Sequence, residues 1–335
     1  MLLNYLIFIL INIIFLILFS KLSKRVNLID YPNERKRHKG EVPVIGGLII
    51  FFSIFLITFF IEFDYWTNLI IYSSFVVVFL GSIDDSKQVG VTIRLISQII
   101  AGLLVIGGGL SIIDIGDYYI FPPFSLGFLG ILLTLVSVVS LTNAINFMDG
   151  IDGLASGLTL VSLISILFYS LLEGNQSNLD ILYFLITSVL FFFILNINIV
   201  PIKKIFLGDS GSTLLGFLLG YLLIYYTHPD IRNFHPILAA WCIALPIFDL
   251  VVVIIRRLYR KLNPFNPDRR HLHHLLLDKN ISDRNVLLVV LFCSIILNSI
   301  GGLLYFVFGP FPALLGFLCF FFIYMILSFG IIRKL

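Results

Sequence analysis

Charged residues are scarce in this chain of 335 residues. They make up 12% of it, whereas ordinary soluble domains contain about 25%. Hydrophobic residues reach 59%, and the mean hydropathy is +1.06. Too few polar side chains remain to cover a water-exposed surface, so the composition excludes a soluble globular protein.

Cysteine is also rare, and several catalytic signatures are missing. Cys242, Cys293 and Cys319 all lie in apolar runs, at no metal-binding spacing, and are interpreted as small apolar core residues. No P-loop and no Gly-x-Ser-x-Gly elbow occurs in the sequence. Catalysis by a cysteine or elbow serine is therefore not predicted.

Long uncharged runs fill most of the chain. A membrane-spanning helix needs about 20 apolar residues, and these runs are continuously apolar, unlike the alternating strands of membrane barrels. The predicted fold class is all-α, a polytopic integral membrane protein with about eleven transmembrane helices. The predicted spans are residues 2–20, 44–61, 66–83, 95–113, 124–147, 154–172, 181–200, 211–227, 235–255, 286–308 and 310–332. The first is predicted to be a retained span, because no basic region precedes it and no small-residue cleavage site follows it.

Basic residues predict the orientation of these spans. With the amino terminus outside and the carboxyl terminus cytoplasmic, 21 of the 22 Lys and Arg residues face the cytoplasm, and only Arg232 faces out. Residues 1–335 then form a single transmembrane catalytic domain. Its active site is predicted to come from cytoplasmic loops near 35–47, 84–94, 143–153, 203–212 and 257–285.

Two adjacent carboxylates, Asp84 and Asp85, end the third predicted span. Such a pair at a membrane boundary is costly through repulsion and desolvation. It is either a solvated helix end or a functional pair acting as general base or metal-linked carboxylates. In the functional interpretation, Lys87 is a charge partner or a phosphate ligand.

A second group of polar residues ends the fifth predicted span. Its members recur every three residues and are Asn143, Asn146, Asp149 and Asp152. Successive members share a helix face, but all four cannot, because a step of three drifts by about 60° on a helix of 3.6 residues per turn. Gly150 and Gly153 predict that the helix breaks there, which lets the two aspartates turn into a common site.

A third group, from Phe206 to Ser212, opens the eighth predicted span. Asp209 to Ser212 resemble a helix N-cap. A helix start offers free N–H groups to an anion, and a carboxylate beside it can hold Mg²⁺ that bridges to phosphate oxygens. We therefore expect this helix start to cradle a pyrophosphate.

The largest cytoplasmic loop carries a cluster of arginines and histidines. Its members are Arg269, Arg270, His271, His273 and His274. Zinc is disfavoured because no fourth ligand has suitable spacing, and the adjacent arginines favour a diphosphate. A basic block at 35–39 binds either anionic lipid or substrate. Asp249 is interpreted as either an ion-pair partner of Arg256 or a catalytic group.

Carboxylates and cations at one membrane face indicate a divalent metal with a phosphorylated ligand, and a site in the membrane suits a lipid substrate. An ion-coupled transporter is the alternative class. It is disfavoured because the carboxylates cluster at one face and no internal repeat is present.

At these motifs the chain resembles the polyprenyl-phosphate N-acetylhexosamine-1-phosphate transferase superfamily, or glycosyltransferase 4 family. The resemblance covers Pro43 to Gly47, Asp84-Asp85, Asn143 to Gly153, Phe206 to Ser212 and the histidine loop, in that order. The stretches 35–38 and 267–274 are most similar to the bacterial undecaprenyl-phosphate N-acetylglucosamine-1-phosphate transferases. The muramoyl-pentapeptide branch has a different loop there.

The resemblance implies roles for the acidic and amide residues. Asp84 would be the base that prepares the lipid phosphate, with Asp85 beside it. Asp209 would be the Mg²⁺ ligand, with Mn²⁺ as an alternative ion, and Asn146 a second ligand. Asp149 would contact the nucleotide sugar.

The resemblance also implies the donor contacts and the partners. Asp152 would contact the nucleotide sugar, and Phe206 would stack on uracil. The residues expected at the diphosphate or sugar are Arg269, His271, His273 and His274. The implied reaction transfers N-acetylglucosamine 1-phosphate from UDP-GlcNAc, or another UDP-N-acetylhexosamine, to undecaprenyl phosphate at the cytoplasmic side of the bacterial inner membrane. Membrane lipid is implied as a further partner and nucleic acid is not, and whether the chain forms a homodimer is left open.

Overall fold

Helices account for nearly all of the regular structure in a computed structural model, which describes residues 2–32, 40–120, 122–175, 178–200, 202–263 and 270–333. The described helices are α1 (Leu2–Leu22), α2 (Gly46–Ile57), α3 (Tyr65–Lys87), α4 (Val91–Gly107), α5 (Phe128–Met148), α6 (Leu154–Leu172), α7 (Asp180–Asn196), α8 (Gly208–Thr227), α9 (Pro236–Cys242), α10 (Ala244–Tyr259), α11 (Leu272–Leu277), α12 (Asp283–Phe308) and α13 (Pro310–Arg333). Two short strands, β1 (Ile29–Asp30) and β2 (Val42–Pro43), pair antiparallel.

Seven of these helices are long and apolar enough to cross a membrane. They are α1, α3, α5, α6, α8, α12 and α13. The other four predicted spans coincide with three shorter apolar helices, α2, α4 and α7, and with the pair α9–α10, which is bent by 74° at a short break. The prediction of a helical, polytopic membrane protein is confirmed.

Helix α8 lies at the centre of the fold, between α3 and α5. Nearly all of its residues from Ser210 to Tyr226 are buried, as expected for a helix that is apolar on every side. Its polar residues are concentrated in the first turn, where the sequence reads Gly-Asp-Ser-Gly-Ser. The most buried of the long apolar helices therefore carries a cluster of polar residues at its amino-terminal end.

The apolar core has two parts. The first cluster surrounds α8 and draws on α1 to α8, with α9 and α10 at its edge. The second lies among α9, α10, α12 and α13 and includes Trp241 and Phe248. The two meet at the end of α5 and the start of α6, because Ile145 belongs to the first cluster while Met148 and Leu154 belong to the second. The segment 146–153 thus joins the two parts of the core.

Candidate active site

The carboxylate of Asp85 accepts hydrogen bonds from the first turn of α8. Its Oδ1 accepts a hydrogen bond of 2.6 Å from the backbone N–H of Asp209, and its Oδ2 accepts one of 3.1 Å from the N–H of Ser210. A carboxylate at a helix amino terminus is favoured by the helix dipole. The N–H groups of Asp209 and Ser210 are therefore taken by a side chain of the protein itself and are not free to cradle a pyrophosphate in the way that the sequence predicted.

The predicted N-cap role of Asp209 is wrong. Helix α8 begins at Gly208, and the capping position is Leu207, whose side chain makes no capping hydrogen bond. The carboxylate of Asp85 satisfies N–H groups that a capping side chain normally takes. The Asp209 carboxylate is consequently free of capping and faces other helices.

Arg94 joins the two acidic segments. Its guanidinium lies 3.1 Å from the Asp84 carboxylate and 3.6 Å from that of Asp209. Asp84 is buried and also accepts a hydrogen bond from the backbone N–H of Val89. Lys87, the predicted charge partner, is exposed and makes no ion pair within the described residues. The sequence did not indicate Arg94, because it lies in the first turn of the next helix, which the short turn at 88–90 brings back to Asp84.

We expect Arg94→Gln to lower kcat/KM by about 100-fold, in the range found for loss of one electrostatic donor. The reason is that Arg94 is the cation between Asp84 and Asp209. Arg25→Gln is the matched control, because Arg25 is exposed just beyond the end of α1, and its expected loss is below about threefold. The measurement is the initial rate of product release at subsaturating donor. Equal losses in the two variants would contradict the assignment of Arg94 as the cation of this site.

Asn146 and Asp209 come together as predicted. The Asn146 side-chain NH₂ donates to Asp209 Oδ1 at 2.7 Å and to the Ser212 hydroxyl at 2.8 Å. Asn143, three residues earlier, instead donates to Gln98 Oε1 at 2.7 Å and so ties α5 to α4. The structure therefore brings Asn146 into the carboxylate cluster and gives Asn143 a contact between helices.

Two glycines allow this close approach. Gly81 of α3 packs against the backbone of Ser210, and Gly47 of α2 packs against that of Gly211. A Cβ atom at either glycine would collide with backbone atoms that cannot move without shifting α8. The absence of these side chains lets α2 and α3 reach the start of α8.

The segment from Pro43 to Gly47 is held against Phe206 and Leu207 by backbone hydrogen bonds. Phe206 N–H donates to the Pro43 carbonyl at 2.8 Å, and Gly46 and Gly47 donate to the carbonyls of Phe206 and Leu207 at 2.9 and 3.2 Å. These bonds join two motifs that are more than 150 residues apart in the sequence.

The predicted break between α5 and α6 is confirmed. Helix α5 ends at Met148, Gly153 has φ +78°, and α6 begins at Leu154. The intervening Asp152 pairs with Lys204, whose ammonium group also lies 4.8 Å from the centre of the Phe206 ring. Asp152, Lys204 and Phe206 thus form one side of the site, and the sequence did not indicate Lys204.

Asp149, between α5 and α6, has a strongly raised pKa. Its side chain reaches solvent, yet desolvation by the surrounding protein, and then the negative charges of Asp209, Asp85 and Asp152, together raise its pKa to about 8. A cation bound nearby would lower this pKa and stabilise the carboxylate. The concentration of negative charge therefore favours a bound cation.

The histidines lie on the other side of the segment 146–153. The His271 ring packs on Phe147, with 5.3 Å between ring centres, and His273 packs directly on Gly150. His273 is fully buried, and neither of its ring nitrogens has a hydrogen-bond partner in the described part of the chain. Burial, and then the neighbouring His274 ring, lowers the pKa of His273 to about 3. His273 is therefore neutral near pH 7, and its buried ring lies against Gly150.

The family of this chain follows from its similarity to known proteins. Residues 66–227 match the model of glycosyl transferase family 4. A relative from Escherichia coli K12 is 36% identical over 297 residues, covering 87% of this chain and 80% of the relative. The chain belongs to glycosyl transferase family 4.

Two further relatives have similar coverage. One from Haemophilus influenzae is 36% identical over 324 residues, with 92% of this chain and 89% of the relative aligned. One from Pasteurella multocida is 39% identical over 300 residues, with 85% and 81% aligned. All three relatives are named undecaprenyl-phosphate alpha-N-acetylglucosaminyl 1-phosphate transferase. The predicted membership of family 4 and the predicted transferase class are confirmed.

The oxygen atoms of this family 4 site suit Mg²⁺. The described residues contain no group of three or more His, Cys, Asp or Glu side chains arranged as metal ligands. Mg²⁺ often needs fewer, because it keeps several waters and binds one or two carboxylates together with substrate phosphates. The oxygen donors of Asp209 and Asn146 fit that requirement, and three other carboxylates lie close enough to Asp149 or Asp209 to add negative charge.

Two predicted parts of the site lie outside the described residues. They are Arg269, with its neighbour Asp268, and the basic block at 35–39. The remaining predicted positions are described, including His274, whose ring centre lies 4.0 Å from that of His273.

Proposed function

We propose that this protein transfers N-acetylglucosamine 1-phosphate from UDP-GlcNAc to undecaprenyl phosphate, releases UMP and so begins a lipid-linked cell-surface glycan. The three relatives carry the corresponding name and align over most of their length. The observation that supports this function best is the convergence of Asp85, Asp209, Asn146 and Arg94 at the start of α8.

The net reaction forms one P–O bond and breaks one. An oxygen of the lipid phosphate becomes bonded to the phosphorus that carries the sugar, and the bond from that phosphorus to the bridging oxygen of the diphosphate breaks. UMP leaves with the bridging oxygen. Reactions of this kind depend mainly on positioning and on neutralising charge, which a cluster of carboxylates, amide and guanidinium can supply.

Asp209 and Asn146 would hold Mg²⁺, with Mn²⁺ as the alternative ion. A divalent ion held there would supply positive charge that offsets the negative charge of the donor diphosphate. Arg94 would orient the Asp84 and Asp209 carboxylates and add positive charge near the phosphates. Asp152, Lys204 and Phe206 would bind the nucleoside, while His271, His273 and His274 would contact the diphosphate or sugar from the opposite side.

Asp84 would act as the base toward the lipid phosphate. A phosphate monoester has its second pKa near about 6, so a base is needed only for the monoanion. We expect Asp84→Asn to slow turnover more at about pH 6 than at about pH 8. Rates should be measured at both values with lipid and Mg²⁺ saturating. An equal loss at the two pH values would instead assign Asp84 to positioning Arg94.

We further propose that eleven segments cross the membrane and that the start of α8 faces the cytoplasm. Seven helices are long and apolar enough to cross a membrane, and the bent pair α9–α10 would be an eighth span. The proposal requires the three shorter apolar helices, α2, α4 and α7, to cross as well. The distribution of Lys and Arg supports this orientation. The site would then lie in the inner membrane at its cytoplasmic surface, where nucleotide sugars are present.

Cysteine labelling tests this topology. Lys24 and Lys279 are predicted to be cytoplasmic and Tyr119 external, and all three are exposed. In a background that lacks the three native cysteines, a membrane-impermeant maleimide should label Tyr119→Cys in intact spheroplasts, but Lys24→Cys and Lys279→Cys only after lysis. Labelling of positions 24 and 279 from opposite sides would contradict eleven crossings.

The reaction itself is tested with purified protein, undecaprenyl phosphate, Mg²⁺ and a panel of UDP-sugars. We expect UMP release and transfer of both the sugar and its phosphorus to the lipid with UDP-GlcNAc. Doubly labelled donor, carrying tritium in the sugar and ³²P in the β-phosphate, identifies the transferred group. A preference for another UDP-N-acetylhexosamine would change the donor, whereas sugar transfer without the β-phosphorus would refute the proposed reaction.

A further inference from the structure

Asp249 is a buried carboxylate of α10 that lies outside the cluster described above. Its Oδ2 lies 2.6 Å from His271 Nδ1, and its Oδ1 accepts hydrogen bonds of 2.8 Å from the Leu272 N–H and 2.7 Å from the Tyr324 hydroxyl. Asp249 and His271 are 2% and 4% exposed, respectively. The alternative partner considered from the sequence, Arg256, donates to the Arg270 carbonyl at 3.0 Å.

These contacts fix the start of α11. That helix has six residues, Leu272–Leu277, and its N-cap residue His271 provides no side-chain cap. A helix of one or two turns is not stable by itself, because the conformational entropy lost in nucleation exceeds the stabilisation from so few hydrogen bonds. The Asp249 carboxylate supplies the missing cap by accepting the N–H of Leu272, the first helical residue.

The same carboxylate fixes the His271 ring. With Nδ1 held by Asp249, Nε2 is the ring nitrogen left to contact a ligand, and it makes no hydrogen bond within the described residues. A carboxylate behind a histidine determines which nitrogen carries the proton and how the ring is turned. The ring packs on Phe147, beside Asn146, so its orientation bears directly on the segment 146–153.

Tyr324 extends this connection to the last helix. It donates to Asp249 from α13, while α11 itself packs on α12 and α13. Burying a carboxylate is costly unless it is fully hydrogen-bonded, and here all three donors come from the histidine segment or from α13. The connection therefore links the second core cluster to the position of the histidines.

We propose that Asp249 is a positioning residue, which holds His271 and the start of α11 against the segment 146–153 for binding of the donor diphosphate. This inference rests on the proposed function. It requires that the loss of the Asp249 carboxylate acts through His271 and affects use of the nucleotide sugar but not the KM for the lipid phosphate.

Asp249→Asn isolates the contact with His271. The amide keeps the volume of the carboxylate and retains one oxygen for Leu272 and Tyr324, but its NH₂ group replaces the oxygen that faces His271 Nδ1. We expect kcat/KM for UDP-GlcNAc to fall by about 10- to 100-fold, as is usual for the partner behind a functional histidine. The KM for undecaprenyl phosphate should change by less than about twofold, well below that range.

A double-mutant cycle with His271→Ala distinguishes positioning from a general structural role. If Asp249 acts through His271, Asp249→Asn should reduce kcat/KM by less than about threefold in the His271→Ala background, because residues that act as a unit are non-additive. Tyr324→Phe, which removes one donor without touching His271, should cost several-fold less than Asp249→Asn. Losses that multiply, or an Asp249→Asn protein with normal kcat/KM, would overturn the proposal.

Folding is checked by the thermal midpoint and by gel filtration of each variant in detergent. An Asp249→Asn protein that fails to fold while His271→Ala folds would also overturn the proposal, because Asp249 would then support the membrane fold independently of His271. Wild-type protein that releases no UMP would contradict the proposed function alone. In that case the same cycle, measured as thermal midpoints, still tests whether Asp249 and His271 are coupled.

Discussion

Asp209→Asn is expected to reduce turnover by about a thousandfold, at the upper end of the losses found when one preorganised electrostatic group is removed, while the protein still folds. The amide retains an oxygen that can accept the 2.7 Å hydrogen bond from Asn146. Asp209 has no capping role that the substitution could remove, because Asp85 accepts the N–H groups at the start of α8. The substitution therefore removes one negative charge, which is proposed to hold Mg²⁺ and which also lies 3.6 Å from the Arg94 guanidinium.

The measurement is the rate of UMP release as Mg²⁺ is titrated at saturating donor and lipid. Asp230→Asn is a suitable control, because Asp230 is exposed and lies just beyond the carboxyl end of α8. Asp209→Asn should require far more Mg²⁺ than wild type or fail to respond, whereas the control should follow the wild-type curve. Near-normal activity of Asp209→Asn at limiting Mg²⁺ would move the proposed metal site to Asp149 and Asp152.

Asp85→Asn is expected to lower both turnover and stability. An amide offers one oxygen where the carboxylate offers two, so either the Asp209 or the Ser210 N–H loses its acceptor. Hydrogen bonds to charged groups contribute about 1.5–3 kcal/mol, and an anion at a helix start about 0.3–1 kcal/mol. We expect the free energy of unfolding to fall by about 2 kcal/mol. Turnover should fall by about 100-fold, because Asp209 lies on the turn of α8 that would be displaced.

Thermal unfolding in detergent, measured beside the turnover, separates Asp85 from its neighbour. Asp84 contacts Arg94 and the Val89 N–H and accepts no backbone N–H from the start of α8, so Asp84→Asn should reduce turnover with a smaller shift of the thermal midpoint. A stable and inactive Asp85→Asn protein would show that Asp85 acts in the chemistry and not mainly as the cap of α8.

The sequence predicted the features that depend on local patterns. Every predicted span coincides with one helix or with the bent pair, because apolar runs of suitable length determine where helices form. The break at Gly150 and Gly153 followed from the residues that end helices. The approach of Asn146 to Asp209 was expected from the resemblance and was confirmed by the geometry.

The features that the sequence did not predict depend on contacts between distant segments. The position of Asp209 at a helix start predicts a helix cap, but the residue that caps α8 is Asp85, 124 residues earlier. Asn143 was grouped with Asn146 by spacing, yet it faces Gln98 on α4. Spacing places two side chains on the same or different sides of a helix, but only the packing of neighbouring helices determines what each side meets.

The division of the apolar core into two clusters has a consequence for how this site changes during evolution. The carboxylates and Asn146 are anchored in the cluster around α8, whereas the histidines are anchored through Asp249 and Tyr324 in the cluster of α10, α12 and α13. Substitutions in the second cluster can therefore reshape the side that is proposed to meet the diphosphate or sugar while Asp209 and Asn146 stay in place. Relatives that use a different sugar nucleotide are expected to differ first in α10 to α13, and exchange of that half between two such proteins should transfer the donor preference.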